Sequence, residues 1–246
     1  MVAYVEEPPT LDEALGTENR KQWHEGWQLE VDSLIQNKTW VLTQLPAGRE
    51  PIGCRWLFKC KDDGRFKARL VAKGYSQKEG MDYNEMFAPV ARFNSLRTLL
   101  ALVCENNWEP DGMNVKTAFL HSELDEMVFM DIPEGLYTET STLEAGEAMV
   151  YRLVKSIYGL KQSSWAWYGR INKFFLDHGF QRSEQAHSVY IHRFFKLIIL
   201  LYVDDLVIMA PSMEDVLWIQ TLLQEEFEIT DLGPLTTFLG MEIRRN

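Results

Sequence analysis

The segment Leu197–Ala210, LIILLYVDDLVIMA, constrains the fold more than any other stretch of the chain. Two aliphatic runs flank an adjacent pair of carboxylates, Asp204 and Asp205. The pattern predicts two strands with the acidic pair at the tight turn between them. Charged side chains are rarely buried unless paired or bound to a metal, so a doublet inside an apolar hairpin asks for a reason. One reading is structural, because Asp favours turns. The other is functional, because strong apolar runs on both sides anchor the turn rigidly, as a metal site demands.

The rest of the chain surrounds this hairpin with mixed elements. Trp23, Trp27, Val31 and Leu34 fall at helical spacing, and Asn37 suits the end of that helix. LPAGREP, Leu45 to Pro51, reads as a turn. Residues 52–75 read as a hairpin, IGCRWLFKC and RFKARLVAKGY joined by a DDG turn, with Lys67, Arg69 and Val71 on one face and Ala68 and Leu70 on the other. Ser95 to Glu105 reads as a helix with Ser or Asn at its start, and Met113 to Leu120 as a short strand or strand–helix junction. MVFMDIPEG is a strand stopped by Pro133, residues 136–148 an exposed acidic loop, and AMVYRLVKSIYGL a further strand and turn. Gln162 to His178 forms a helix ended by Gly179. Ser212 with Asp215 makes a capping box that opens a helix to about Phe227. FEITDLG and FLGMEIRR then close the chain as a turn and a strand. Strands grouped with helices without strict βαβ alternation imply an α+β fold.

Charge and cysteine usage narrow the function classes. The net charge of −11 argues mildly against nucleic-acid binding. Its distribution does not: Arg55 to Lys78 holds eight Lys/Arg against two Asp, a net +6, which leaves −17 elsewhere. Such an island suits either a phosphate-binding surface or a solvated strand face. Cys54, Cys60 and Cys104 form no CxxC pair, so neither a disulfide framework nor a zinc site is expected, and a reducing compartment fits best. The N-terminus carries acidic, Pro-containing residues and no signal-peptide pattern. The longest apolar stretch, Leu197 to Leu201, is too short to span a bilayer.

Tyr202-Val203-Asp204-Asp205 resembles the YxDD box of reverse transcriptases. WVLTQLPAGREPIGCRWLFK, RFKARLVAKGYSQKEGMDYNEMFAPVAR, VKTAFLHSELDEMVFMDIPEG, LVKSIYGLKQSSWAWY, LLYVDDLVI and DLGPLTTFLGMEI resemble, in order, blocks of the reverse-transcriptase domain of copia-type LTR retrotransposons, across roughly residues 12 to 244. The resemblance implies the palm and fingers of a right-hand polymerase, with an antiparallel palm sheet and helices packed on one face. Fingers are expected mainly over 40–105, palm mainly over 106–246, and a loose segment over 1–10. It also implies RNA-directed DNA synthesis with two Mg²⁺ (or Mn²⁺) ions ~4 Å apart, a template–primer and dNTPs as partners, and a cytoplasmic or nuclear setting. By comparison with the family pattern, a thumb and an RNase H domain are expected to be absent from this chain.

The resemblance assigns roles to particular residues. Asp204 matches the metal-bridging aspartate and Asp205 its neighbour. Lys67, Arg69 and Lys73 lie in the fingers strand that contacts the triphosphate. Phe119 matches the aromatic residue that screens against a ribose 2′-hydroxyl, and Gln162 a glutamine that lines the nucleotide pocket. Tyr202 sits beside the primer end. Without the resemblance, Phe119 and Tyr202 would be read as core.

The chain also departs from the family pattern. Asn114 precedes VKTAFL where the first metal-binding Asp belongs. An amide offers one neutral oxygen in place of an anionic, bridging carboxylate. Asp111 cannot substitute, because three residues along a strand move a side chain ~10 Å and to the other face. Ser164 and Trp165 stand where the family has Pro and Arg, and the DDG hairpin turn is shorter than the family's. The expectation is a reverse-transcriptase domain with weak or no polymerase activity. Two alternatives remain: a catalytically dead relic acting as a binding or scaffold module, and an unrelated acidic interaction protein.

Overall fold

A computed structural model describes residues 7–61, 63–84, 86–136 and 149–244. Among the described residues, five α-helices run in chain order: α1 (Leu11–Gly16), α2 (Arg20–Gln36), α3 (Phe93–Glu105), α4 (Ser163–Asp177) and α5 (Met213–Glu226). The strands are β1 (Trp40–Gln44), β2 (Cys54–Cys60), β3 (Phe66–Ala72), β4 (Glu109–Val115), β5 (Glu123–Met130), β6 (Met149–Lys155), β7 (Gln181–Arg182), β8 (Val189–His192), β9 (Leu197–Tyr202), β10 (Asp205–Ala210), β11 (Ile229–Pro234), β12 (Thr237–Phe238) and β13 (Met241–Glu242). The fold is mixed α and β, and every ladder between these strands is antiparallel. The chain divides into two compact units, residues 1–86 with 119–166, and residues 87–118 with 167–246.

The first unit holds the β2–β3 hairpin and a three-stranded sheet in the order β1-β6-β5. Alternation on β3 is as expected: Ala68, Leu70 and Ala72 are buried, while Lys67, Arg69 and Val71 are partly exposed. The α2 face formed by Trp23, Val31 and Leu34 is buried with Trp56, Phe58 and Leu70 in one core. Helix and strand approach closely at Gly26, where a Cβ would lie 2.7 Å from the Phe66 carbonyl oxygen, so only glycine fits without displacement. Further along α2, Glu30 accepts the Leu70 N–H at 3.3 Å and satisfies an edge-strand donor of β3.

The second unit is built on a six-stranded sheet, β11-β4-β10-β9-β8-β7. Val207, Met209, Ile198 and Leu200 form one face and share a core with Leu96 and Val103 of α3. On the opposite face, Gln220 of α5 reaches Asp111 and Phe175 of α4 packs against Tyr190. This corrects the expectation of helices on one face: apolar residues alternate on both sides of β9 and β10, so both sides need cover.

Element boundaries also differ from the sequence reading. Helix α3 starts at Phe93, with Arg92 at its N-cap and no side-chain cap, so Asn94 and Ser95 lie inside its first turn. The strand expected from Met113 starts at Glu109, because pairing with β10 and β11 on either side carries it through Pro110 and Gly112. FEITDLG, read as a turn, contains edge strand β11, which pairs with β4 and has a bulge between Asp231 and Gly233. Thr10 already caps α1, while residues 1–6 and most of the acidic loop, 137–148, lie outside the described residues. No helix among the described residues is long and apolar enough to cross a membrane. The three cysteines are free thiols.

Candidate active site

Strands β9 and β10 close on a two-residue turn. Tyr202 pairs with Asp205, leaving Val203 and Asp204 at the tip. Val203 adopts φ +54°, a left-handed conformation that is uncommon for a β-branched residue and costs on the order of 1–3 kcal/mol. The surroundings hold it there. Trp167 Nε1 donates to the Val203 carbonyl oxygen at 2.6 Å, and the Val115 N–H donates to the Asp204 carbonyl oxygen at 2.7 Å. Phe227 packs edge-on against Trp167 at 5.4 Å and fixes the indole.

The β4–β10 register sets Asn114 directly opposite Asp205. Asn114 Nδ2 lies 2.8 Å from Asp205 Oδ1 and 3.4 Å from the Asp204 carbonyl oxygen. Burial pushes the Asp205 carboxyl above its ordinary range and the Asp204 charge adds to the rise, while the Asn114 hydrogen bond opposes both. Tyr202 is half-buried, its ring edge-on to Phe238 at 6.4 Å and packed against the apolar face it shares with Leu200. Asp111 belongs to the other face of β4. It is only 4% exposed, and burial together with the nearby Asp231 carboxylate raises its pKa to about 6.

Asn114, Tyr202, Asp204 and Asp205 all fall in the second unit, and Lys67, Arg69, Lys73, Phe119 and Gln162 in the first. Within the first unit, the Arg69 guanidinium lies over the Tyr158 ring at 5.1 Å, and Phe119 meets the same ring edge-on at 4.8 Å. Phe119 is itself 9% exposed. Arg69 Nε is buried without a hydrogen-bond partner. The Lys67 and Arg69 charges act on Glu30 of α2, which offsets part of the basic island. Lys73 lies along Gly53, and its charge acts on Asp131. Gln162 is 3% exposed and committed at both ends of its amide: it accepts from Gln77 Nε2 at 2.9 Å and donates to the Asp82 carbonyl oxygen at 2.7 Å. Trp165 is exposed in the first turn of α4.

Sequence reasoning missed Trp167, Gln77, Tyr158 and Glu30. Each acts on a partner far away in sequence, so no spacing pattern marks it. Among the described residues, no group of three or more His, Cys, Asp or Glu side chains is placed to hold a metal ion.

The reverse transcriptase (RNA-dependent DNA polymerase) family profile matches residues 37–246. The retrovirus-related Pol polyprotein from transposon TNT 1-94 of Nicotiana tabacum is 38% identical over 97% of this chain. The chain belongs to the copia-type reverse-transcriptase family. Among similar family members, the Pol polyprotein from transposon RE1 of Arabidopsis thaliana is 36% identical over 97% of the chain. The transposon Ty1-NL2 Gag-Pol polyprotein of Saccharomyces cerevisiae is 26% identical over 92% of it. The alignments take in 18%, 16% and 13% of these three relatives, so the chain spans less than a fifth of each.

Proposed function

We propose that this chain is an RNA-directed DNA polymerase domain of retrotransposon type whose nucleotidyl-transfer centre is impaired at Asn114. In this reading the second unit is the palm and carries the centre on the β9–β10 turn, and the first unit is the fingers, which moves residues 87–105 out of the expected fingers and 119–166 out of the expected palm. One contact carries the reading of impairment: Asn114 Nδ2 donates to Asp205 Oδ1 at 2.8 Å. Where the family pattern has a third carboxylate, this chain aims N–H hydrogens at one of the remaining two.

The family uses divalent cations, and the fit here is poor. A pair of ions needs several anionic oxygens converging from two strands. Asp204 and Asp205 supply them from one strand end only, and the amide opposite occupies a lone pair that an ion would take. In this reading Tyr202 supports the primer terminus, and Lys67, Arg69 and Lys73 meet the triphosphate. The unpartnered Nε of Arg69 supports that role, since a buried donor gains from a phosphate acceptor. Phe119 and Gln162 shape the sugar side of the pocket. Gln162 acts from behind it, through Gln77 and Asp82.

Loss of one catalytic carboxylate is worth roughly a thousandfold in rate. The test is primer extension on poly(rA)/oligo(dT) with Mg²⁺ or Mn²⁺, comparing the unmodified chain with Asn114→Asp and with Asp204→Ala as the negative control. Asn114→Asp should extend the primer and the unmodified chain should lag far behind. Equal extension by both would refute impairment at Asn114. Extension by neither would favour a relic that only binds nucleic acid, with Trp165 as the next departure to revert.

A further inference from the structure

The orientation of the Asn114 amide is dictated by charge. Turned over, its carbonyl oxygen would stand 2.8 Å from an oxygen of Asp205 and repel it. With Nδ2 inward, the amide serves two acceptors, Asp205 Oδ1 and the Asp204 carbonyl oxygen. Two neutral protein donors also hold the turn, the Val115 N–H to the Asp204 carbonyl oxygen and Trp167 Nε1 to the Val203 carbonyl oxygen, while just past Val115 the Lys116 ammonium is paired with Glu228. The strained φ of Val203 and the half-buried Asp205 are thus supported by donors from β4 and α4.

The family pattern would place a carboxylate at residue 114, opposite Asp205 in the register. Two anions facing each other at that separation repel, and a bound cation or a shared proton relieves the repulsion. We infer that the Asn114 amide takes the place of the cation, tying β4 to the β9–β10 turn so that this end of the sheet is complete without a divalent metal. One substitution accounts for both lost chemistry and gained metal-independence, and the second of these rests on the reading of the turn as a polymerase-type centre.

Thermal unfolding of the full chain in EDTA, in excess MgCl₂ and in excess MnCl₂ tests this, with Mn²⁺ binding followed separately by electron paramagnetic resonance. The unmodified chain should melt at the same temperature in all three and leave the Mn²⁺ spectrum that of the free ion. Asn114→Asp should melt several degrees lower in EDTA, recover with either cation in a concentration-dependent way, and bind Mn²⁺. Asn114→Ala, which loses the tie without adding charge, should melt lower in EDTA and gain nothing from cations. Cation-dependent melting of the unmodified chain would overturn the inference, as would an Asn114→Asp chain that melts in EDTA as the unmodified chain does. The polymerase reading fails separately: an Asn114→Asp chain that gains the metal response but extends no primer upholds the amide's role and sinks the enzymatic one.

Discussion

At residue 114 the difference between Asp and Asn is one oxygen exchanged for an NH₂, yet the exchange reverses what the position offers its neighbour, from an acceptor to a donor. The Asp204-Asp205 doublet itself was legible, because aliphatic runs on both sides left few other reasons for two acids there. What holds the doublet was not: Trp167 lies 36 residues before Val203, and nothing about a tryptophan in an amphipathic helix announces a hydrogen bond to a distant turn. Asp111 supports a prediction at the same scale. Burial beside Asp231 raises its pKa to about 6, so folding favours the protonated form. Its contribution to stability is present in full below the unfolded value of ~4 and is lost as pH rises through about 6. Urea midpoints of the unmodified chain should fall across that window. Asp111→Asn, which keeps an acceptor for Gln220, should flatten that slope and gain about 1–2 kcal/mol at neutral pH after allowing for water. An unchanged slope would assign the pH dependence to another group.

Elements with strong local signals were read well. Helix α2 carries its apolar face at helical spacing, and α5 has Ser212 at its N-cap, accepting from the Asp215 N–H as the capping pattern requires. Ser212→Ala should lower stability by about 1 kcal/mol, measured by chemical denaturation. Elements whose signal is tertiary were misread. β4 contains Pro110 and Gly112, and β11 contains Gly233 and Pro234, residues that weaken strand propensity. Both are strands because neighbours supply hydrogen-bonding partners, which local propensity cannot register. Close approach is equally invisible. Gly26 looks like an unfavourable residue within a helix, but Gly26→Ala should cost about 1–3 kcal/mol despite the better propensity of alanine, because the new Cβ meets the Phe66 carbonyl oxygen. A stabilised Gly26→Ala chain in the same denaturation series would show that α2 and β3 can move apart cheaply.

On the scale of the whole molecule, each unit is built from two separate segments of the chain, 1–86 and 119–166 in one, 87–118 and 167–246 in the other. The core containing Trp23, Trp56 and Leu70 is distinct from the core containing Leu96, Val207 and Met209. Leu70→Ala should therefore cost about 2–5 kcal/mol in its own unit. Hydrogen exchange should accelerate in β2 and β3 and change much less in β9 and β10; uniform acceleration would indicate a single cooperative core. The basic island belongs to the first unit, where Glu30 tempers it. Because the cations are concentrated on the β2–β3 hairpin, a chain of net charge −11 still presents cations on one strand face.

Family membership, the apolar hairpin with its carboxylate pair, and the odd residue at 114 can all be read from the chain of amino acids alone. These are local in the chain, carried by runs, spacings and motif order. What the odd residue touches follows from the folded sheet. Asn114 and Asp205 stand 91 positions apart, and a β register joins them through backbone hydrogen bonds that are indifferent to side-chain type. Whether an amide there is an idle replacement or a tie across the sheet depends on a contact of 2.8 Å, a length that no pattern in the sequence encodes.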